Sequence, residues 1–249
     1  MKNSAESNAT RRKNYWKPSA FAIGGILFGY FVIAYLFVPL LWKLYVDRHP
    51  LMEDIPNITY AGDGIPGDPL NVALIGTKSE LIGIKLAAGW YPADALSLSS
   101  SLEIAEATIL KRPYEEAPVS NLYLFGRRED LAFEQPVGDN PTQRHHVRYW
   151  RTEKQTSDGR PFWVGSATYD RRVGLSHTTG EITHHINADV DAERDHLFDD
   201  LQKTGTLGER SQEDNFHKIR EGRNGGGDPW RTDGRLFIGN IRPQVAAKQ

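Results

Sequence analysis

Five of the eight histidines fall between residues 145 and 185: His145, His146, His177, His184 and His185. They stand in RHHVRYWR (144–151) and SHTTGEITHHI (176–186), beside Arg148 and close to Arg171. Imidazole changes charge near neutral pH, shuttles protons and binds transition metals. Arginine holds carboxylates and phosphates through charge-assisted, often paired, hydrogen bonds. Three chemistries are therefore open to this stretch: anion binding, acid–base hydrolysis and metal coordination. A fourth reading is a solvated sheet face without a ligand.

Strand periodicity decides which of these groups meet. His146, Arg148 and Trp150 share one face of a strand, and His145, Val147 and Tyr149 share the other. A two-residue hairpin turn at Asp158-Gly159 pairs His146 with Arg171 and Arg148 with Tyr169. It also sets Phe162 and Val164 beside Val147 and Tyr149 as the core face. A turn at Thr179-Gly180 pairs Leu175 with His184 and His177 with Ile182. The two turns conflict in parity; a β-bulge between Tyr169 and Gly174 would reconcile them, and so would slippage in one of the turns.

On this register His146, Arg148, Tyr169, Arg171 and His185 form a ligand-binding row, with Thr183 and Asn187 on the same face and Arg127 in a nearby turn. His146 and His185 are the catalytic candidates. His177 and His184 turn inward, and Asp189 or Asp191 would complete a metal set with them. The preferred role for Asp189, Asp191 and Glu193 is instead to cap a helix and complement its dipole. His184 and His185 point to opposite faces, and there is no HExxH spacing. No cofactor is expected, and a divalent metal such as zinc is the alternative. Gly225–Gly227 lacks the Lys and Ser/Thr of a phosphate loop and reads as flexible.

The elements that must carry these residues follow from pattern. Val72–Ile75, Asn121–Phe125, Leu131–Glu134, Arg144–Arg151, Arg160–Asp170, Glu181–Asn187 and Arg235–Ile241 read as strands. Helices are predicted over Lys78–Ala88, from a capping pair at Ser100 and Glu103 up to Pro113, and over Val190–Lys203. Helices, an antiparallel meander and a further helix make an α+β fold, a meander sheet with flanking helices. The absence of cysteine excludes a disulfide scaffold, a cysteine zinc site and a thiol nucleophile. The net charge of −2 argues against a nucleic-acid partner.

Ahead of that domain, Ser19–Trp42 contains no charged residue. As a helix it would reach about 36 Å, enough for a hydrocarbon core of roughly 30 Å, so one N-terminal transmembrane helix is expected. Arg11, Arg12, Lys13 and Lys17 precede it and only Lys43 and Arg48 closely follow, which sets the N-terminus in the cytoplasm and the domain outside. Gly25 and Gly29 have the spacing of a helix homodimer. The chain then divides into a basic tail (1–18), a span (19–46), a stalk (47–67), an α+β domain (68–241) with a mobile loop (206–228), and a C-terminal tail (242–249).

GDPLNVALIG (67–76), NLYLFGRREDLAFEQP (121–136), RHHVRYWR (144–151), VGLSHTTGEITHHINADVDAERD (173–195) and GDPWRTDGRL (227–236) resemble the LssY C-terminal domain family. The resemblance implies a bacterial, membrane-associated domain of unestablished activity, here in the inner (plasma) membrane. Relatives are often joined to multi-span modules, including ones like lipid-phosphate phosphatases. This sequence shows one expected span and no such module, so that chemistry is not carried over. The resemblance supplies no catalytic residues. Three functions follow as expectations. The first is an accessory envelope domain that binds an anionic, phosphate-bearing lipid or glycan precursor at the bilayer. The second is a histidine-dependent hydrolase of such a compound, with or without a metal. The third is a partner-binding subunit of a membrane complex.

Overall fold

The structure, a computed structural model, describes residues 16–37, 40, 54–62, 64–93, 121–138, 142–178, 180 and 182–243. The chain forms two units, Met1–Glu53 and Asp54–Gln249. In the first, α1 spans Trp16–Val32, and a π-helical turn, Ile33–Phe37, takes over from it. Apolar side chains stand exposed along this segment, Ile26 at 71% and Phe28 at 72%. Within the helix predicted over 19–42, α geometry thus gives way to π geometry over Ile33–Phe37. Among the described residues no helix is long and apolar enough to cross a membrane.

The second unit runs β1 (Ile58–Ala61), β2 (Pro66–Pro69), β3 (Val72–Ile75), α2 (Lys78–Ala87), β4 (Tyr91–Pro92), β5 (Leu122–Leu124), β6 (Arg127–Arg128) and β7 (Leu131–Pro136). It continues with β8 (Arg144–Gln155), β9 (Pro161–Leu175), β10 (Ile182–Ile186), α3 (Val190–Lys203), β11 (Leu207–Glu213), β12 (Glu221–Arg223), β13 (Pro229–Arg231) and β14 (Leu236–Ile241). This is an α+β architecture. The large sheet is ordered β11-β14-β3-β9-β8-β7-β4, with β10 also on β9, and a small sheet is ordered β2-β1-β5-β6.

The meander expectation describes β7 to β10 and fails elsewhere. β3 pairs with β14 in parallel and with β9 antiparallel. Val72, Ala73 and Leu74 are all fully buried, the pattern of a central strand covered on both faces. The stretch read as a stalk contains β1 and the start of β2, an edge strand that tolerates proline. The stretch read as a mobile loop supplies β11, paired to β14 from Leu207↔Ile241 to Glu213↔Leu236. Its charged side chains project to solvent from a paired backbone, so composition alone looks like disorder. β5 belongs to the small sheet and β7 to the large one, so the strands predicted over Asn121–Phe125 and Leu131–Glu134 do not pair.

One face of the large sheet carries the main core. Val72, Leu74, Leu131, Phe133, Val147, Tyr149, Trp163, Ala167 and Phe237 meet Leu81, Ile82 and Ile84 of α2 and Leu197, Phe198 and Leu201 of α3. α2 forms because Thr77 caps it, accepting from Glu80 N–H while the Glu80 carboxylate accepts from Thr77 N–H. That capping box is the one the structure describes; the predicted pair at Ser100 and Glu103 lies outside the described residues. α3 begins after Asp189, whose side chain accepts from Ala192 N–H as the capping reading expected.

Register decides the chemistry. β8 and β9 pair as Arg144↔Asp170, His146↔Thr168, Arg148↔Ser166 and Arg151↔Trp163, then slip before Gln155↔Pro161. The predicted partners, Arg171 for His146 and Tyr169 for Arg148, are therefore three residues out. That odd offset exchanges the faces. Trp163, not Phe162 or Val164, joins Val147 and Tyr149, and Phe162 and Val164 lie with His146 and Arg148. The expected bulge is present: His185 pairs with Arg172 and Ile186 with Asp170, leaving Arg171 unpaired between them.

Candidate functional site

A cavity of about 470 Å³ opens on the face of the large sheet away from α2 and α3. Its floor is the even-numbered face of β8 and β9, carrying His146, Arg148, Thr168 and Asp170. β10 adds Thr183, His184 and Ile186, brought to this side by the bulge at Arg171. Gly67 and Asp68 of β2, Leu122 and Tyr123 of β5, and the turn Asn224–Gly226 complete the wall. Two glycines are required there. A Cβ on Gly67 would lie 2.6 Å from Thr59 Oγ1, and Gly227 closes the turn at φ +85°.

The polar groups are buried and mostly matched in charge. Arg148 stands 3.7 Å from Asp68 and 3.9 Å from Glu129. Arg144, below the cavity, donates to Asp170 at 3.1 Å, to Glu134 at 2.9 Å and to His184 Nε2 at 3.2 Å. Asn224 donates to Asp68 at 3.0 Å. Burial raises the Asp68 and Asp170 carboxyls above the ordinary range, against the pull of Arg148 and Arg144 respectively.

The two histidines are held neutral. Burial first, then Arg148, Arg144 and His184, places the His146 imidazolium well below its ordinary pKa. Burial with Arg144 and Arg148 takes His184 down to about 4. Arginine offers only donors, so His184 Nε2 accepts from Arg144 and the ring proton sits on Nδ1. That Nδ1 and His146 Nε2 are both buried without a hydrogen-bond partner among the described residues. An unsatisfied buried polar atom costs about 1–3 kcal/mol, so both rings hold unused hydrogen-bonding capacity.

Of the predicted row, His146 and Arg148 face this cavity and the others do not line it. Arg127 pairs with Asp130 and the Arg151 carbonyl. The Tyr169 ring packs 5.0 Å from His145 on the helix side. Arg171 is exposed on the bulge and donates to the Ile186 carbonyl at 3.1 Å. His185 Nδ1 meets Asp228 Oδ1 at 2.8 Å. The predicted metal set disperses too. His184 holds Arg144, Asp189 caps α3 and pairs with Arg231, and Asp191 pairs with Arg194 and Thr232. His177 lies with His185 and Asp228 instead.

Asp68, Asp170, His184 and Asn224 were missed as cavity residues, and Asp228 as a histidine partner. One signal was available: Asp68 and Asp228 both stand in Gly-Asp-Pro, at 67–69 and 227–229. The family model for the LssY C-terminus matches residues 52–236, most of the chain. No curated protein and no solved structure matches it.

Proposed function

This chain belongs to the LssY C-terminus family, and from that premise we propose that it is a membrane-anchored binding domain for a small polar ligand carrying one anionic group. A phosphate-bearing lipid headgroup and a glycan precursor share this chemistry. The carrying observation is a cavity large enough for a headgroup, lined by Arg148 and by two neutral imidazoles that each hold a buried nitrogen with no partner among the described residues. Arg148 and the Nδ1–H of His184 supply donors for the anion. Asp68 and Asp170 supply acceptors for hydroxyl or ammonium groups of the same ligand. Mixed charge favours such a ligand over a bare phosphate, which would face both carboxylates.

Binding is favoured over hydrolysis because the cavity histidines are weak bases, and a strong general base works best with a pKa near the operating pH. The uncharged run 19–42, the basic residues before it and the exposed apolar side chains of α1 support an anchor with the N-terminus in the cytoplasm. Retention in the membrane pellet after alkaline carbonate washing is the expected result for the anchor; release into the supernatant would remove it. For the site, calorimetry on the full chain in detergent uses glycerol 3-phosphate and N-acetylglucosamine 1-phosphate. One saturable site for at least one probe is expected in the wild type, and Arg148→Met should abolish it. Equal heats in both proteins would reject the assignment.

A further inference from the structure

Beyond the cavity, a second group of side chains has no role in that reading: His177, His185 and Asp228. Each offers one ligand atom, and the three atoms lie within 4.8 Å of one another. We propose that these residues hold a divalent metal ion of the zinc class, as a His-His-carboxylate site.

The donor chemistry fits. Two imidazoles and one carboxylate are a set that zinc and its neighbours take, with one position left for water or a ligand. Ligands about 2.0–2.2 Å from a tetrahedral ion stand roughly 3.3 Å apart. His185 Nδ1 and Asp228 Oδ1 are at 2.8 Å, already within that spacing. The rings of His177 and His185 have centroids 5.1 Å apart, so the remaining adjustment is small. It falls on His177, the exposed member, which also gives an ion a path from solvent.

The other two members are fixed in advance. Asp228 Oδ2 accepts from Ile186 N–H at 3.2 Å, and Asp228 N–H donates to Asn224 Oδ1 at 2.9 Å. His185 is 1% exposed. The nitrogen that faces Asp228, and so would face the ion, is Nδ1; Nε2 lies beside Gly174. His177 N–H donates to the Gly226 carbonyl at 2.9 Å, which ties the histidine's loop to the turn preceding Asp228. Because Ser176, His184 and Gly226 line the cavity, each element that carries a metal ligand also contributes cavity wall.

The test needs no activity. Full-length protein in detergent is stripped with chelator, loaded with Zn²⁺ or Co²⁺ and desalted, and bound metal is measured by elemental analysis with the visible spectrum of the cobalt form. One ion per chain and a tetrahedral cobalt spectrum are expected. His177→Ala, at an exposed position that should not impair folding, is expected to weaken binding by more than the roughly 10–100-fold that loss of an outer-shell partner costs. Asp228→Asn should also lose the ion. His196→Ala, on α3, should keep one ion per chain. Substoichiometric metal in the wild type, or an unchanged ion in His177→Ala, would overturn the proposal. Phosphate-ester binding in stripped protein reports separately on the cavity, so failure of one reading does not entail failure of the other.

Discussion

Adjacent histidines on β8 enter two different worlds. His146 faces the cavity, whereas His145 faces α3, where its Nδ1 meets Glu193 Oε2 at 2.7 Å. On that helix side Lys85 is fully buried, with Nζ 4.4 Å from the Trp90 ring centroid and 5.1 Å from that of Tyr149. Lys85 Nζ, Tyr149 OH and Glu193 Oε1 find no hydrogen-bond partner among the described residues. Burial drives Lys85 well below the ordinary lysine range and Glu193 up to about 9. Both faces thus bury ionisable groups. The helix face packs them among aromatic rings and neutralises them. The cavity face keeps arginine–carboxylate pairs, and its spare ring nitrogens belong to residues that line the cavity. Burial alone therefore does not mark a site; a buried polar group beside a cavity does.

The largest expected effect lies on the cavity face. Asp170→Ala removes the carboxylate that Arg144 holds and leaves a buried guanidinium short of a partner. A loss of about 3–5 kcal/mol in chemical denaturation is expected. A loss under about 1 kcal/mol would mean that Arg144 re-pairs with Glu134 alone.

The helix face should respond in the opposite direction. Lys85→Met replaces an unsatisfied amine in an aromatic cage with an apolar chain of similar length. Stability at neutral pH is expected to rise by about 1–3 kcal/mol, seen as a higher denaturation midpoint. Destabilisation would show that the amine has a partner important to the fold.

The pH dependence separates the same two groups. Glu193 has its folded pKa raised from 4.5 to about 9. Between those values the unfolded chain has released a proton that the folded chain retains, so this term makes stability fall as pH rises. Lys85 has its folded pKa lowered from 10.5, so its term makes stability rise with pH up to that value. Of this pair, Glu193→Gln keeps the rising term and Lys85→Met the falling one, and the shifted cavity groups contribute equally to both variants. Each slope is bounded by about 1.4 kcal/mol per pH unit. The difference in slope between the two variants from pH 7 to 9, above the range of the histidines, reads the signs, and equal slopes would contradict the assignment.

The smallest effect tests scaffolding common to both faces. Thr77→Ala removes the side-chain half of the α2 capping box and should cost about 1 kcal/mol in thermal or chemical unfolding. It should leave ligand binding unchanged.

Much of this was legible in the residue pattern. The apolar spacing of Val190–Lys203, the acids before it and Gly205 after it placed α3 at its observed bounds. Alternation along RHHVRYWR put His146 and Arg148 together on one face, as found. The partners across the strand were not legible, because the loop 157–159 is one residue longer than the expected two-residue turn, which exchanges the faces, and a two-residue slip follows between Arg151 and Gln155. Asp68, Asn224 and Asp228 come from strands and turns far along the chain, and only three-dimensional closure brings them to the histidines. Lys85 was hidden for another reason: a single lysine on an apolar helix stripe looks like a solvent-reaching side chain until the aromatic rings around it are placed.

The central claim is that the cavity histidines are partner-poor groups awaiting a ligand, while His145 and His196 behind the sheet already have partners in Glu193 and Gln135. Nitrogen-detected NMR of the histidine rings in the full chain, titrated with glycerol 3-phosphate and N-acetylglucosamine 1-phosphate at pH 7, reads this residue by residue. The account predicts neutral-ring signals for His146 and His184 that shift saturably with at least one probe, while His145 and His196 stay in place. Cationic signals for His146 and His184, or shifts confined to His145 and His196, would contradict it.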